Sequence, residues 1–205
     1  RGLCQLQDTR YLVCNPPQLP LSQQEIDRIH ELDYRRRAHP LHADQGNVRA
    51  LDTIAFSIIY HRGCSGECHF CAITALQGKT VISRSRPSIL REAESLARHP
   101  DFKGVISDVG GPTANMYEIE CQKKATHGAC IRKRCLGDRV CPELAVDHGP
   151  QIRLLKDLRK IAGIKHVFIG SGIRHDLILA DSQNGQAYLE QIISHHVSGQ
   201  LKIAP

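Results

Sequence analysis

Between residues 62 and 71 the chain reads Arg62-Gly63-Cys64-Ser65-Gly66-Glu67-Cys68-His69-Phe70-Cys71, three cysteines in the spacing Cys-x3-Cys-x2-Cys. Thiolates are soft donors that suit iron–sulfur clusters and zinc. Three of them on one short loop can hold three irons of a [4Fe–4S] cube, leaving the fourth iron open to a small molecule. Gly63 and Gly66 give the backbone freedom to aim the sulfurs inward. The spacing also admits a zinc site with His61 or His69 as fourth ligand, although no second cysteine pair stands nearby.

A second group, Cys121-x8-Cys130-x4-Cys135-x5-Cys141, lies in a polar segment with little apolar sequence of its own. Such a segment gains from a cross-link. A second iron–sulfur cluster, a Cys4 zinc, or free redox thiols all fit this spacing. Lys123, Lys124, Arg132, Lys133, Arg134 and Arg139 surround these cysteines. They read as a solvated face, as offsets to thiolate charge, or as contacts to RNA phosphates. Cys4 and Cys14 read as ordinary thiols.

The 205 residues are 41% apolar and 23% charged, with net charge +6. These values suit a globular domain and exclude a disordered tail, a collagenous repeat and a small disulfide knot. Nine unevenly clustered cysteines and no secretory signal argue against a disulfide framework and for a reducing, cytoplasmic setting. The longest apolar run, 53–60, is strand-sized, so no membrane helix is expected. The chain opens on Arg1 and its only methionine is Met116, which reads as a piece of a longer polypeptide.

The elements that must carry these residues follow from apolar periodicity. Residues 1–21 read as irregular, with Asn15-Pro16-Pro17 and Pro20 breaking regular structure. Ser22 and Glu25 form a capping-box signature that opens a helix over 23–36, and 40–47 reads as a loop. Strands are expected at 54–60, 104–109, 166–169 and 201–204, with helices at 87–98, 151–162 and 185–197. Strand and helix in alternation predict βαβ crossovers and a parallel sheet. Ligands bind such sheets at the C-terminal ends of the strands. The cysteine loop, Gly110-Gly111-Pro112 and Gly170-Ser171-Gly172 all fall there.

These words together resemble a known family. Cys64-x3-Cys68-x2-Cys71 with Phe70 before the last cysteine is similar to the signature of radical S-adenosylmethionine (SAM) enzymes. Arg62-Gly63-Cys64, Ser83-Arg84-Ser85, the run 104–117, Asp147-His148, the run 201–205 and Asn15-Pro16-Pro17 resemble the YgiQ-like branch of that superfamily. The resemblance implies an α/β fold, a partial parallel (β/α) barrel with about four of six βα units present and a cysteine-rich insertion. Residues 1–50 would be an N-terminal linker and helix. Residues 51–205 would be the core, truncated at its C-terminal end, with the insertion at 115–149.

It further implies a [4Fe–4S] cluster on Cys64, Cys68 and Cys71, with SAM on the open iron. Reductive cleavage of SAM would give a 5′-deoxyadenosyl radical that abstracts hydrogen from substrate. Phe70, Gly110, Gly111, Ser171 and Arg174 are the expected SAM contacts: the glycines through backbone carbonyls or else as a plain tight turn, Arg174 through the SAM carboxylate or else in a structural ion pair with Asp176 or another acid. Pro112 departs from the family pattern, where an acid follows the two glycines. Asp108 reads as a ligand contact or a loop cap. The implied partners are an electron donor such as flavodoxin or ferredoxin, and RNA. Two other classes compete: a zinc- or cluster-stabilised RNA-binding module without radical chemistry, and an iron–sulfur electron carrier. A carrier would have every cluster iron ligated, which three cysteines do not provide.

Overall fold

Short strands and amphipathic helices alternate along most of the chain in the computed structural model, which describes residues 2–15, 18–46 and 48–204. Expectations for Arg1, Pro16, Pro17, Asn47 and Pro205 lie outside the described residues. The first departure from the sequence reading is at the start. Instead of irregular chain, β1 (Leu3–Gln7) and β2 (Arg10–Cys14) form an antiparallel hairpin, with Leu3 opposite Cys14 and Gln7 opposite Arg10. Asp8 makes the turn at φ 54. Cys4, Leu6, Tyr11 and Val13 share one face, a period-two pattern overshadowed by the prolines that follow.

α1 (Gln23–His30) opens with the expected capping box: the Glu25 amide donates to Ser22 Oγ (3.3 Å) and the Ser22 amide to Glu25 Oε2 (2.7 Å). It stops six residues earlier than its periodicity suggests. Arg36 sits at φ 51 and its Nη1 donates to the carbonyls of Ala55 (2.8 Å) and Ser57 (3.1 Å). Those tertiary bonds outcompete another helical turn. A 3-10 helix, Pro40–Gln45, replaces part of the expected loop.

The expected strand at 54–60 is divided: α2 (Leu51–Ile54) takes its first residue and β3 (Ser57–Ile59) is the strand. After it come β4 (His61–Arg62), α3 (Ile73–Gln77), β5 (Ile82–Ser83) and α4 (Arg86–Ala97). Then follow β6 (Val105–Ile106), β7 (Asp108–Gly110), α5 (Gln122–His127) and α6 (Gly149–Leu158). The chain finishes with β8 (His166–Val167), β9 (Ile173–Arg174), α7 (His175–Ala180), α8 (Gly185–His195) and β10 (Ile203–Ala204).

The fold is mixed α/β with short parallel pairings. β3 pairs with β7, β6 with β8, and β9 with β10, all parallel. Backbone bonds from Val109 N to Phe168 O (2.8 Å) and from Phe168 N to Ile106 O (2.9 Å) join the first two pairs into one surface. Ile58, Val109 and Val167 of that surface are buried against Ile89 of α4, Leu154 of α6 and Ile192 of α8. Burying such side chains contributes about 1.5–3 kcal/mol each, which is why the three amphipathic helices were legible from periodicity. The cysteine loop follows β3 and β4 in the chain.

Candidate metal centre

β4 pairs antiparallel with β5, His61 opposite Ser83 and Arg62 opposite Ile82, so the segment between them leaves and returns at one place. Gly63, at φ +81, makes the departure. A Cβ there would stand 1.9 Å from the Thr80 carbonyl oxygen of the returning chain, so only glycine fits. The loop then bonds to itself. The Cys64 amide donates to Gly78 O (3.1 Å), Ser65 Oγ to Lys79 O (3.0 Å) and Thr74 Oγ1 to Cys64 O (3.2 Å).

Two thiols meet around Gly66. A Cβ on that glycine would lie 3.3 Å from Cys64 Sγ, 3.5 Å from Cys68 Sγ and 3.9 Å from Arg174 Nη1. Arg174 Nη1 itself approaches Cys68 Sγ at 3.5 Å, and Cys64 Sγ lies 3.4 Å from Thr113 Oγ1. Cys64 is buried among Met116, Leu136 and Leu177, while Cys68 and Cys71 are partly exposed. The Cys71 amide donates to the Cys68 carbonyl (3.0 Å), which keeps the third cysteine on the same turn. Among the described residues no three His, Cys, Asp or Glu side chains gather into a group that could hold a metal ion. What the fold provides is a two-sulfur cradle over a glycine with a cation beside it. This donor set suits a soft, thiolate-held group in chemistry and charge.

The remaining predicted contacts separate. Arg174 is engaged by Asp176: Nε donates to Oδ1 at 3.0 Å and Nη2 pairs with Oδ2. Hydrogen bonding to Asp176 holds the guanidinium pKa above its ordinary value. Ser171 Oγ donates to Asp108 Oδ2 (2.8 Å), and the Gly170 amide to Asp108 Oδ1 (2.7 Å). Gly110 makes room for that bridge, since a Cβ there would stand 2.6 Å from Ser171 Oγ. Gly111 makes room for the His61 ring, 2.5 Å from where its Cβ would be. Asp108, Gly110, Gly111 and His61 line a cavity of about 180 Å³ beside the cysteine loop. Phe70 is 77% exposed.

Residues 1–57 match the family described as Radical SAM N-terminal, a segment that ends before the cysteine loop. Across its whole length the chain is 53% identical to a UPF0313 protein of Fusobacterium nucleatum subsp. nucleatum, over 205 residues that make up 100% of this chain and 36% of that protein. The chain is homologous along its whole length to UPF0313 proteins, the YgiQ-like radical SAM family. A UPF0313 protein of Clostridium perfringens is 47% identical over 205 residues, 100% of this chain and 31% of its own length. One from Methanocella arvoryzae is 52% identical over 194 residues, 95% of this chain and 31% of its own. The chain thus spans about a third of the length of these relatives.

In this chain the second cysteine group packs onto the first loop instead of forming a separate knot. Cys121, Cys135 and Cys141 join the apolar cluster that contains Cys64, and the Cys141 amide donates to Cys135 O (2.8 Å). Cys130 is held through its carbonyl, which accepts from Lys79 Nζ (3.3 Å). Lys124 is not part of a solvated face. It is 6% exposed, and its Nζ donates to Ser65 Oγ (2.8 Å) and Lys79 O (2.6 Å), stitching the insertion to the loop. Sequence reasoning missed this residue because a lysine in a basic run carries no mark of burial. No helix among the described residues is long and apolar enough to cross a membrane.

Burial pushes His61 down to about 4, its Nε2 lying 3.0 Å from Thr113 O; burial likewise pushes His196 down to about 4. In the unfolded chain both titrate near 6.5, so acid protonates the unfolded state first. The stability tied to their neutral forms is whole above pH 6.5 and is lost as pH falls toward about 4. From about pH 7.5 to about pH 6 the two together remove ~1.5 kcal/mol, read as a lower urea midpoint. His196→Gln is expected to halve that pH dependence, and a midpoint unchanged by acid would contradict the assignment.

Proposed function

We propose that the protein is a radical SAM enzyme in which Cys64, Cys68 and Cys71 hold a [4Fe–4S] cluster, with SAM in the adjoining cavity beside Gly110 and Gly111. The observation that carries this reading is the convergence of Cys64 and Cys68 around Gly66 beside a guanidinium, within a loop whose spacing matches the family. When bound, the cluster and SAM supply one-electron reductive cleavage of the sulfonium and hydrogen-atom abstraction from substrate.

The chain's own residues position and shield. Gly63 sets the angle at which the loop leaves β4. Arg174, steadied by Asp176, offsets thiolate charge at Cys68, so that it serves the cluster side instead of the SAM carboxylate. Gly110 and Gly111, with no side chains of their own, let Ser171 and His61 pack against the backbone at the cavity wall, and Asp108 ties the ends of β7 and the 170–171 turn into one rim. Met116, Leu136 and Leu177 keep water from Cys64. The reading places the protein in the cytoplasm, supplied with electrons by a carrier such as flavodoxin or ferredoxin.

The test is anaerobic full-length protein with dithionite and SAM, assayed for 5′-deoxyadenosine. Formation of that product supports the reading. Stoichiometric zinc on the 64–71 loop, with no cleavage, would establish the metal-stabilised binding module instead.

A further inference from the structure

Three buried polar residues that the proposed chemistry leaves unused, Asn115, His148 and Asp181, meet under Arg174. Asn115 is fully buried, and its side chain grips the Arg174 backbone on both polar groups. The Arg174 amide donates to Asn115 Oδ1 (2.8 Å), and Asn115 Nδ2 donates to the Arg174 carbonyl (3.0 Å). This matters because β9 is only two residues long, with β10 on one edge and, among the described residues, no second strand on the other. The Ala114 amide, donating to Gly172 O (2.9 Å), and the Asn115 side chain together take the place of that strand.

An amide makes such a grip in one orientation only, and a second contact selects it. Asn115 Nδ2 also lies 3.1 Å from His148 Nε2, so that nitrogen must be a bare acceptor. It is kept bare because His148 Nδ1 lies 2.8 Å from Asp181 Oδ2, where the ring proton belongs. Asp181 is itself fixed by the backbone amides of His148 (2.8 Å) and Asn184 (2.8 Å). His148 is 1% exposed and Asp181 7%, so water does not compete for these bonds. Burial lowers the His148 pKa, in keeping with a neutral ring.

We infer that Asn115 is a positioning residue, holding the Arg174 backbone so that the guanidinium stands beside the Cys64–Cys68 thiols, and that His148 with Asp181 fixes the amide orientation this grip requires. The grip stands on the geometry alone; its effect on a cluster rests on the function proposed above.

The experiment uses full-length protein, wild type and the variants Asn115→Ala, Arg174→Gln and the pair combined. In the apoprotein, hydrogen exchange followed by mass spectrometry should show peptides covering 171–177 exchanging about tenfold faster in Asn115→Ala, with α4 unchanged. In the cluster-loaded protein, loss of a nearby positive charge disfavours the reduced state. Asn115→Ala and Arg174→Gln should each lower the midpoint potential by a similar amount, about tenfold in the reduction equilibrium or ~59 mV, and the combined variant no further.

Exchange unchanged at 171–177, or equal loosening of α4, would overturn the grip. A potential that stays at the wild-type value in Asn115→Ala, or that falls additively in the combined variant, would overturn the action through Arg174. A wild-type protein that forms no cluster sinks the proposed function, while the exchange measurement still decides the grip. Should Asn115→Ala fail to accumulate, His148→Phe keeps the ring volume, removes the Nε2 acceptor and is read in the same way.

Discussion

Full-length protein carrying Cys68→Ala is expected to fall from about four irons per chain after reconstitution to fewer than about one, with SAM cleavage at background. Cys68 Sγ is one of the two sulfurs that meet over Gly66, and the one Arg174 faces at 3.5 Å. Alanine leaves two thiols on the loop, too few to hold three irons. The side chain is partly exposed, so the fold should survive. A melting temperature close to wild type would separate ligand loss from unfolding. Cys14→Ala, in the exposed hairpin, is the matched control and should keep full iron content. Iron retained by Cys68→Ala would remove that cysteine from the ligand set.

Gly63→Ala is expected to cost about 3–5 kcal/mol in urea unfolding and to lower iron loading with it. Two penalties coincide at this residue. Its φ of +81 is one that L side chains rarely adopt, and a Cβ would be 1.9 Å from the Thr80 carbonyl oxygen. Backbone cannot swing aside as a side-chain tip can. The β4–β5 pairing that closes the loop would therefore have to open, moving Cys64, which follows directly. Gly78→Ala is the informative comparison. It also has positive φ, 86, but nothing within 4 Å of its Cβ position, so only the conformational penalty applies. Equal stability losses in the two variants would show that the contact with Thr80 carries no weight.

Much of this arrangement was legible in the sequence because local rules decide it. The Ser22–Glu25 capping box and the apolar faces of α4, α6 and α8 obey spacing rules that tertiary contacts reinforce. The cysteine loop was legible because three thiols at fixed spacing have few other uses. Other features depend on partners distant in sequence. The end of α1 is set by Arg36 reaching carbonyls about twenty residues away. Gly110 and Gly111 looked like ligand contacts, and the structure adds a steric need for each, from Ser171 and His61. Lys124, Asn115 and His148 each look unremarkable in sequence. Their roles arise only where the insertion and the segments around β9 and α7 come together. The β1–β2 hairpin was hidden by a different cause, proline signals close enough to dominate the reading of a short alternating stretch.

The most direct measurement is electron paramagnetic resonance of the anaerobically reconstituted, dithionite-reduced full-length protein, recorded with and without SAM. A [4Fe–4S]⁺ signal whose g values change on adding SAM is the predicted result, because a cluster held by three thiolates leaves one iron to bind it. A signal indifferent to SAM, or a protein that takes up zinc and no iron, would contradict the account.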